Sequence, residues 1–222
     1  MRLYLIPSPI GNLGDITYRA VDVLRKADVV LCEDTRTSSI LLKHYQIQKP
    51  LTPYHLHNEH RIVQHLVEQM QGGKTFALIT DAGTPGISDP GFLLVRECIK
   101  NNIPVECLPG ATAFVPAIVQ SGIPCNRFVF EGFLPLKKGR HTMMLKLAEE
   151  ERTIILYESP HRLAKTLKEL AETLGADRQG AVCRELTKMF EETRKDTLAV
   201  LAQHYESHPP KGEIVIVIAG KE

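Results

Sequence analysis

The sequence lacks the patterns that mark disulfide-bonded, zinc-binding and membrane-spanning proteins. Its 5 cysteines are odd in number, scattered and without CxxC spacing. They indicate reduced, mostly buried thiols and not a disulfide framework or a zinc site. No apolar run approaches the roughly 18 residues of a transmembrane helix, and the one in MRLYLIP is too short for a signal peptide. We therefore expect a cytoplasmic protein with no membrane segment.

An excess of charge of one sign is also absent. The 27 Lys and Arg residues nearly balance the 26 Asp and Glu residues, which leaves a formal net charge of +1. This balance argues against a strongly basic nucleic-acid module, so any contact with RNA must come from a local patch. Lys137, Lys138 and Arg140 lie close together on a predicted loop, which is either such a phosphate contact or a solvated turn.

Common nucleotide and metal signatures are missing as well. No GxGxxG segment follows the first predicted strand, and GxxxxGK(S/T) occurs nowhere in the chain. His55, His57 and His60 have a spacing that could hold a metal, but no cysteine cluster or paired carboxylates accompany them. We therefore expect these histidines to be solvated or to face RNA, and we expect no metal site. A nucleotide-like ligand would have to be bound without either of the two glycine-rich motifs.

The most distinctive segment that is present is the central loop, TDAGTPGISDPG at residues 80–91. Its 3 glycines and 2 prolines exclude a regular helix or strand. It follows an apolar strand pattern at residues 76–79 and precedes a helix pattern at residues 92–100, with Asp89 as the expected N-cap. Ordinary connections there run to about two to six residues. Because ligands bind at the carboxyl ends of strands in open α/β sheets, the segment predicts a binding loop.

Strands and helices alternate along the first half of the chain, which is typical of parallel βαβ units. Beyond residue 121 the alternation becomes irregular, and strand patterns at residues 180–184 and 192–196 follow each other without a helix between them. This favours a mixed sheet. We predict an α/β protein with an N-terminal parallel-sheet domain at residues 1–122 and a C-terminal mixed-sheet α+β domain at residues 123–222.

Three turns at the strand ends of the predicted parallel sheet can converge on one ligand. They are PIGN at residues 9–12, DAG at residues 81–83 and PGA at residues 109–111. The carboxyl ends of parallel strands share one edge of a sheet, and glycine lets backbone groups approach a ligand closely. Three turns at one edge of the sheet predict a ligand site more strongly than any one of them would alone.

Six segments spread over almost the entire chain carry a family resemblance. They are PSPIGNL with DIT within residues 7–17, CEDTR at 32–36, DAGTPGISDPG at 81–91, GFLP at 132–135, YESPHR at 157–162 and RELTK at 184–188. Together they resemble the ribosomal RNA small subunit methyltransferase I family of the tetrapyrrole methylase superfamily. The resemblance implies a two-domain homodimer that binds S-adenosylmethionine between its domains. It also implies methylation of a cytidine ribose 2'-hydroxyl in small-subunit (16S) rRNA, with naked rRNA or the 30S particle as the acceptor.

The strand-end loops and the resemblance together give three sets of expected site residues. The donor set is Pro9, Gly11, Asn12, Asp81, Ala82, Gly83, Thr84, Ile87, Pro109, Gly110, Ala111, Thr112, Tyr157, Gly212, Glu213 and Ile214. The catalytic set is Asp34, Arg36 and Glu158, and Glu33 is a further carboxylate that could accept the proton. The RNA-binding set is Arg36, Lys137, Lys138, Arg140, Arg162 and Arg184. The alternative for Asp34 with Arg36, and for Arg184 with Glu185, is that they only form ion pairs.

Two other functions stay open at this point. One is methylation of a tetrapyrrole carbon, as in the wider superfamily, which would favour a more apolar cleft. The other is a module that binds the donor and RNA without catalysis.

The chain also departs from the family pattern: Thr80 stands where Ser is frequent, PGAT at residues 109–112 replaces PGPS or PGPC, and Lys195 with Asp196 replaces a glycine. Longer members also carry a C-terminal helical extension, which we do not expect in this chain.

Overall fold

The computed structural model describes residues 1–221, which form two compact units, Met1–Thr112 and a second unit that begins at Ala113. The predicted boundary, after residue 122, lies later in the chain. The difference is the helix Phe114–Ser121, which the strand-helix alternation assigned to the first domain. This helix packs against strands of the second sheet, and the sequence pattern alone does not tell which sheet an apolar helix covers.

The first unit alternates strands and helices. Its elements are β1 Arg2–Leu5, a short 3-10 helix Leu13–Asp15, α1 Tyr18–Lys26, β2 Val29–Cys32, α2 Thr35–His44, β3 Leu51–Pro53, α3 Glu59–Gln71, β4 Thr75–Leu78, α4 Phe92–Lys100 and β5 Val105–Cys107. The strands run parallel in the order β3-β2-β4-β1-β5. The predicted parallel sheet is confirmed, and all its carboxyl ends lie along one edge.

Two apolar clusters cover the two faces of this parallel sheet. Leu31, Phe76 and Leu78 point to the face packed by α3 and α4. Val30 and Ala77, their neighbours along the strands, point to the face packed by α1 and α2. Burial on both faces explains the nearly continuous apolar runs of these strands.

The helices after β2 and β4 begin in different ways. Asp34 is the N-cap of α2, and its carboxylate accepts a hydrogen bond from the Arg36 N–H. Gly91, with a φ of 144°, is the N-cap of α4. The expected Asp89 cap was therefore wrong. The reason is that the central loop turns once more at Pro90, whose carbonyl accepts a hydrogen bond from the Gly86 N–H.

The second unit is built on a mixed sheet, as predicted. Its elements are α5 Phe114–Ser121, β6 Phe128–Phe133, α6 Arg140–Ala148, β7 Thr153–Glu158, α7 Leu163–Leu174, β8 Gln179–Arg184, β9 Glu192–Thr197, α8 Leu198–Ser207 and β10 Ile214–Ile218. The order is β6-β7-β10-β8-β9, in which only the β6–β7 pair is parallel. One face packs against α6, α7 and α8. The opposite face meets α5, where the Cys183 thiol lies 3.7 Å from the Ala117 carbonyl.

No helix within residues 1–221 is long and apolar enough to cross a bilayer.

Candidate functional site

The loops that follow β1 and β4 are joined by a pair of backbone hydrogen bonds. The Ser8 N–H donates to the Gly83 carbonyl at 2.8 Å, and the Gly83 N–H donates to the Ser8 carbonyl at 2.9 Å. Both residues are buried. Two of the three turns predicted to converge therefore form one continuous backbone surface.

The loop after β5 joins the same surface through a side chain and a close contact. The Thr84 hydroxyl donates to the Ala111 carbonyl at 3.0 Å. Gly110 packs on the Pro7 ring so closely that a Cβ at position 110 would lie 2.7 Å from the Pro7 Cβ. Real Cβ atoms do not approach other carbons that closely, so only glycine fits there. The predicted convergence of the three turns is what the structure shows.

A fourth loop, after β2, reaches the same edge. The Asp34 N–H donates to an Asp81 carboxylate oxygen at 3.3 Å. Asp34 also holds Arg36 in an ion pair at 2.6 Å, with the Arg36 side chain 90% exposed. The ion pair between Asp34 and Arg36 that was considered as an alternative is therefore formed. It lies beside Asp81, which belongs to the predicted donor set.

The central loop depends on unusual backbone conformations. Gly83, Gly86 and Gly91 have φ values of 81°, 85° and 144°, and Ser88 has a φ of 63°. L-residues with a side chain rarely adopt such angles. At Gly91 a Cβ would also come within 3.2 Å of the Gly86 nitrogen. The glycines that made this segment distinctive in the sequence are required by its shape.

One polar atom of this surface has no partner. The Ser8 hydroxyl is buried and makes no hydrogen bond within residues 1–221. Such a group is costly to bury, which makes it a candidate for contact with a bound ligand. The first predicted donor turn begins at Pro9 and does not include Ser8. The signal available in the sequence was the position of Ser8, which directly precedes this turn at the end of an apolar strand.

The carboxylates at this edge have different electrostatic environments. Hydrogen bonds from Arg36 lower the pKa of Asp34 to about 2. Burial raises the pKa of Glu33, and the neighbouring Asp81 carboxylate raises it further. Burial also raises the pKa of Asp81. Asp34 is thus held as an anion, while Glu33 and Asp81 are better proton acceptors than an ordinary carboxylate.

The remaining members of the donor set in the first unit lie on these same loops. Asn12 is exposed, and its side chain accepts a hydrogen bond from the Gly14 N–H at the start of the short 3-10 helix. Ile87 is 36% exposed. The others are Pro9, Gly11, Ala82, Pro109 and Thr112. Within residues 1–221, no group of three His, Cys, Asp or Glu side chains is placed to hold a metal ion.

In the second unit, Glu158 is buried and its carboxylate is fully engaged. It accepts hydrogen bonds from the Ser159 N–H at 2.7 Å and the Thr166 hydroxyl at 2.6 Å. Arg162 adds an ion pair at 2.6 Å. A carboxylate that already serves three donors is poorly placed to take a proton from a substrate. The geometry favours a structural role for Glu158.

The predicted RNA-binding residues of this unit fall into two groups. Arg140 is 12% exposed and bonds to Glu169 at 2.8 Å, to the Thr166 hydroxyl and to the Pro135 carbonyl. Arg184 pairs with Glu192 at 3.0 Å, not with Glu185. Arg162 is the partner of Glu158, as described above. These three arginines are occupied within the fold, whereas Lys137 and Lys138 are exposed.

Glu185 fixes the segment Gly212–Ile214. Its carboxylate accepts hydrogen bonds from the Glu213 N–H at 3.0 Å and from Lys188 at 2.8 Å. Gly212 has a φ of 91°, and a Cβ there would overlap the Glu185 side chain. Tyr157, the other predicted donor contact of this unit, is half-buried and packs edge-on against Phe130 at 4.9 Å.

The family described as Tetrapyrrole (Corrin/Porphyrin) Methylases matches residues 2–202. The chain belongs to the tetrapyrrole methylase family. Its fold also resembles that of a diphthine synthase structure, with a TM-score of 0.78, 14% identity and coverage of 99% of this chain and 90% of that one. A Thermus thermophilus uroporphyrin-III C-methyltransferase complexed with S-adenosyl homocysteine gives a TM-score of 0.68 at 19% identity, covering 98% and 97%.

Sequence relatives of this tetrapyrrole methylase are much more similar. A Synechocystis sp. protein named "Ribosomal RNA small subunit methyltransferase I" is 50% identical over 98% of this chain and 78% of its own length. A Thermotoga maritima protein of the same name is 41% identical over 100% of this chain and 99% of its own length. These relatives confirm the resemblance that the six sequence segments indicated.

Proposed function

We propose that this chain transfers a methyl group from S-adenosylmethionine to small-subunit rRNA, with the ribose 2'-hydroxyl of a cytidine as the acceptor. Four strand-end loops joined into one surface are the observation that carries the proposal. Relatives that match the chain almost from end to end carry the name of an rRNA methyltransferase. The family fold and the glycine-dependent backbone of the loops are what a donor site without a phosphate-binding motif requires.

The residues on this surface fit S-adenosylmethionine. Its methionine and adenosine parts present hydroxyl, amino, carboxylate and ring nitrogen atoms, which backbone N–H and C=O groups can bind. Thr84 and Gly110 lie at the edge of the sheet, where backbone groups can meet the donor, and the Ser8 hydroxyl has no partner within the fold. The N–H and carbonyl of Gly83 hold the turn in place through Ser8. Bound there, the donor supplies a methyl group on a positively charged sulfur, so this chain needs no covalent nucleophile. Tyr157 and the segment Gly212–Ile214 remain proposed contacts of the second unit.

The chain's own contribution to the reaction is alignment and removal of a proton. Aligning the acceptor hydroxyl with the donor methyl converts a rare encounter into a unimolecular step. Of the candidate carboxylates, Asp34 is held as an anion by Arg36 and Glu158 is surrounded by three donors. We assign Glu33 as the group that accepts the proton of the ribose hydroxyl. Burial and the Asp81 carboxylate raise the pKa of Glu33 and make it a stronger base. Asp34 and Arg36 act in this proposal as positioning residues.

Contacts with RNA in this proposal come from the exposed cations. Arg36 is 90% exposed at a strand end, and its ion pair with Asp34 is of the kind that exchanges easily with water or phosphate. Lys137 and Lys138 are exposed on the loop before α6. Arg140, Arg162 and Arg184 are left out of the RNA surface, because their guanidinium groups are engaged by Glu169, Glu158 and Glu192.

A homodimer and a cytoplasmic location complete the proposal. A twofold arrangement would combine two modest basic patches into a longer track, which offsets the net charge of only +1. Ribosomal RNA as the substrate supports a cytoplasmic location. Light scattering at micromolar concentration should give about twice the chain mass of 24.9 kDa, and a mass of one chain would refute the dimer.

Labelled donor tests the substrate directly. The protein is incubated with S-adenosylmethionine labelled in the methyl group and, separately, with 30S particles, naked rRNA or a precorrin-type tetrapyrrole. We expect label on the ribose of a single cytidine in one of the RNA samples. Label on the tetrapyrrole alone would replace the proposed acceptor, and donor binding without any transfer would support a binding module.

A further inference from the structure

We propose that Phe133, with the aromatic side chains behind it, is a stacking platform for an unpaired base of the RNA. The inference rests on the proposed RNA substrate and adds a contact that neither the sequence analysis nor the comparisons assign. Phe133 is the last residue of β6, and its side chain is 53% exposed. Exposed aromatic rings at the end of a sheet strand are the groups on which single-stranded RNA bases stack.

A row of packed rings supports Phe133. Its ring lies edge-on to Tyr157 with a centroid distance of 5.7 Å, and Tyr157 lies edge-on to Phe130 at 4.9 Å. Phe130 in turn stacks on Phe114 of α5 at 4.9 Å. Each distance is within the range of about 4.5–7 Å for favourable aromatic pairs. Phe133 is thus held in place from one side while its other side is open to solvent.

A bulge in β6 puts these rings on one face of the sheet. Phe130 pairs with Ile155, Gly132 with Leu156 and Phe133 with Tyr157, so the register shifts between residues 130 and 132. In a regular strand of the same sequence, without the bulge, Phe130 and Phe133 are three positions apart and would lie on opposite faces. Gly132, with a φ of 62°, provides the left-handed conformation at the bulge. The GFLP segment therefore contains both the exposed ring and the glycine that aims it.

Charge on the adjoining loop favours RNA as the occupant. Lys137 and Lys138 are exposed and lie four and five residues after Phe133. Neither lysine side chain has a hydrogen bond or ion pair within residues 1–221. A ring that offers an apolar face beside free ammonium groups matches a nucleotide, which presents a flat base and a phosphate. A second copy of this chain is the competing occupant, and the experiment below separates the two.

Tryptophan fluorescence gives a direct test, because the chain contains no tryptophan. Phe133→Trp places a single fluorophore on the proposed platform, and Phe190→Trp places one at another exposed phenylalanine of the same unit as a matched control. Each variant is titrated with a cytidine-rich single strand of about 12 nucleotides, a length within the site sizes of single-strand binders, and with its duplex. We expect the single strand to quench the Phe133→Trp variant strongly, the duplex to quench it weakly, and neither to quench the Phe190→Trp variant.

Binding and transfer measurements complete the test. Phe133→Ala should weaken single-strand binding about 10-fold, Phe133→Leu should weaken it similarly, and Phe133→Tyr should retain it, since only the last keeps an aromatic face. Equal quenching of the two tryptophan variants, or unchanged RNA affinity in Phe133→Ala, would overturn the platform. So would emission of the Phe133→Trp variant that shifts with protein concentration in the absence of RNA, which would indicate a contact between copies of the chain.

Failure of the platform can be told apart from failure of the proposed function. If wild type methylates rRNA while the Phe133→Trp variant is not quenched, the platform is wrong and the function stands. If that variant is quenched by the single strand while no RNA accepts label, the platform stands and the acceptor assignment fails.

Discussion

The two units fix their candidate functional loops with different kinds of interaction. In the first unit, the loops after β1, β4 and β5 are joined by backbone hydrogen bonds and by glycine packing, as between Ser8 and Gly83 and between Gly110 and Pro7. In the second unit, charged side chains do this, as in the pairs of Glu158 with Arg162 and of Glu185 with Lys188. The loops of the first unit therefore depend on backbone conformation and close approach. Those of the second unit depend on the charges of the paired side chains.

The largest effect is expected in the second unit, from Glu158→Ala. Removal of this buried carboxylate leaves Arg162 and Thr166 without their partner, and breaking a buried ion pair costs about 3 kcal/mol. Urea denaturation measures the loss. Glu172→Ala, an exposed carboxylate on α7, is the control and should change stability by less than about 0.5 kcal/mol. Unchanged stability together with lost methyl transfer would restore Glu158 to the catalytic role predicted from the sequence.

Gly83→Val tests the backbone-held loops of the first unit. A Cβ at this position has room, since the nearest atom, a methyl carbon of Ile10, is 3.8 Å away. The strain comes from the backbone, because Gly83 has a φ of 81°, which valine rarely adopts. Holding valine in that conformation should cost about 1–3 kcal/mol of folding stability. Gly73→Val is the matched control, because Gly73 has a φ of 103° with no atom within 4 Å of its Cβ. Both variants should lose stability, and only Gly83→Val should lose donor affinity in calorimetry. A folded Gly83→Val protein with normal affinity would remove this loop from the donor site.

Charges outside the side-chain networks should act on RNA and not on stability. Lys137→Ala and Lys138→Ala are each expected to reduce the slope of log affinity against log salt by roughly one unit, as a lost phosphate contact does. Lys168→Ala, an exposed lysine on α7, serves as the control. The measurement is RNA binding at several salt concentrations beside urea denaturation. Slopes equal to wild type in both variants would show that this loop makes no phosphate contact.

The smallest expected effect concerns Asp34, the one charged cap among the backbone-held loops. Arg36 lowers its pKa to about 2, below the ordinary value of about 3.9. The ionised form therefore stabilises the fold above about pH 4, and this contribution is lost as the pH falls towards 2. Asp34→Asn keeps a capping oxygen but removes the charge. Its stability deficit in urea should shrink between about pH 5 and about pH 2. A deficit that is independent of pH would assign the effect to geometry and not to charge.

Local sequence signals predicted the fold well where they are strong. The helix Phe92–Lys100 was predicted with its observed bounds, because an amphipathic run follows glycine and proline. The glycines of the central loop predicted its convergence with the neighbouring strand ends, since parallel strands leave few other places for such loops. The N-cap of the helix Phe92–Lys100 was predicted at Asp89 but is Gly91, because the loop turns once more at Pro90.

Long-range contacts explain what the sequence did not predict. Lys137, Lys138 and Arg140 form one cluster in the sequence, but Glu169, 29 residues later, binds only the arginine. Glu158 had the appearance of a free strand-end carboxylate, and its burial depends on Thr166 on the next helix. These partners are separated by intervening elements, so composition and spacing carry no signal for them. The resemblance to a family names the residues but gives none of these pairings.

The position of β1 in its sheet has a consequence for synthesis of the chain. β1 starts at Arg2, yet its partners on either side are β4, which begins at Thr75, and β5, which ends at Cys107. Until β4 has left the ribosome, this apolar strand has no native neighbour, and β2 and β3 can pair only with each other. Its second neighbour, β5, follows only when roughly half of the protein has emerged. Contacts between residues so distant in sequence form slowly. The first unit can therefore complete its sheet only after β5 emerges, and a nascent chain shorter than that exposes edges that chaperones or the ribosome surface must protect.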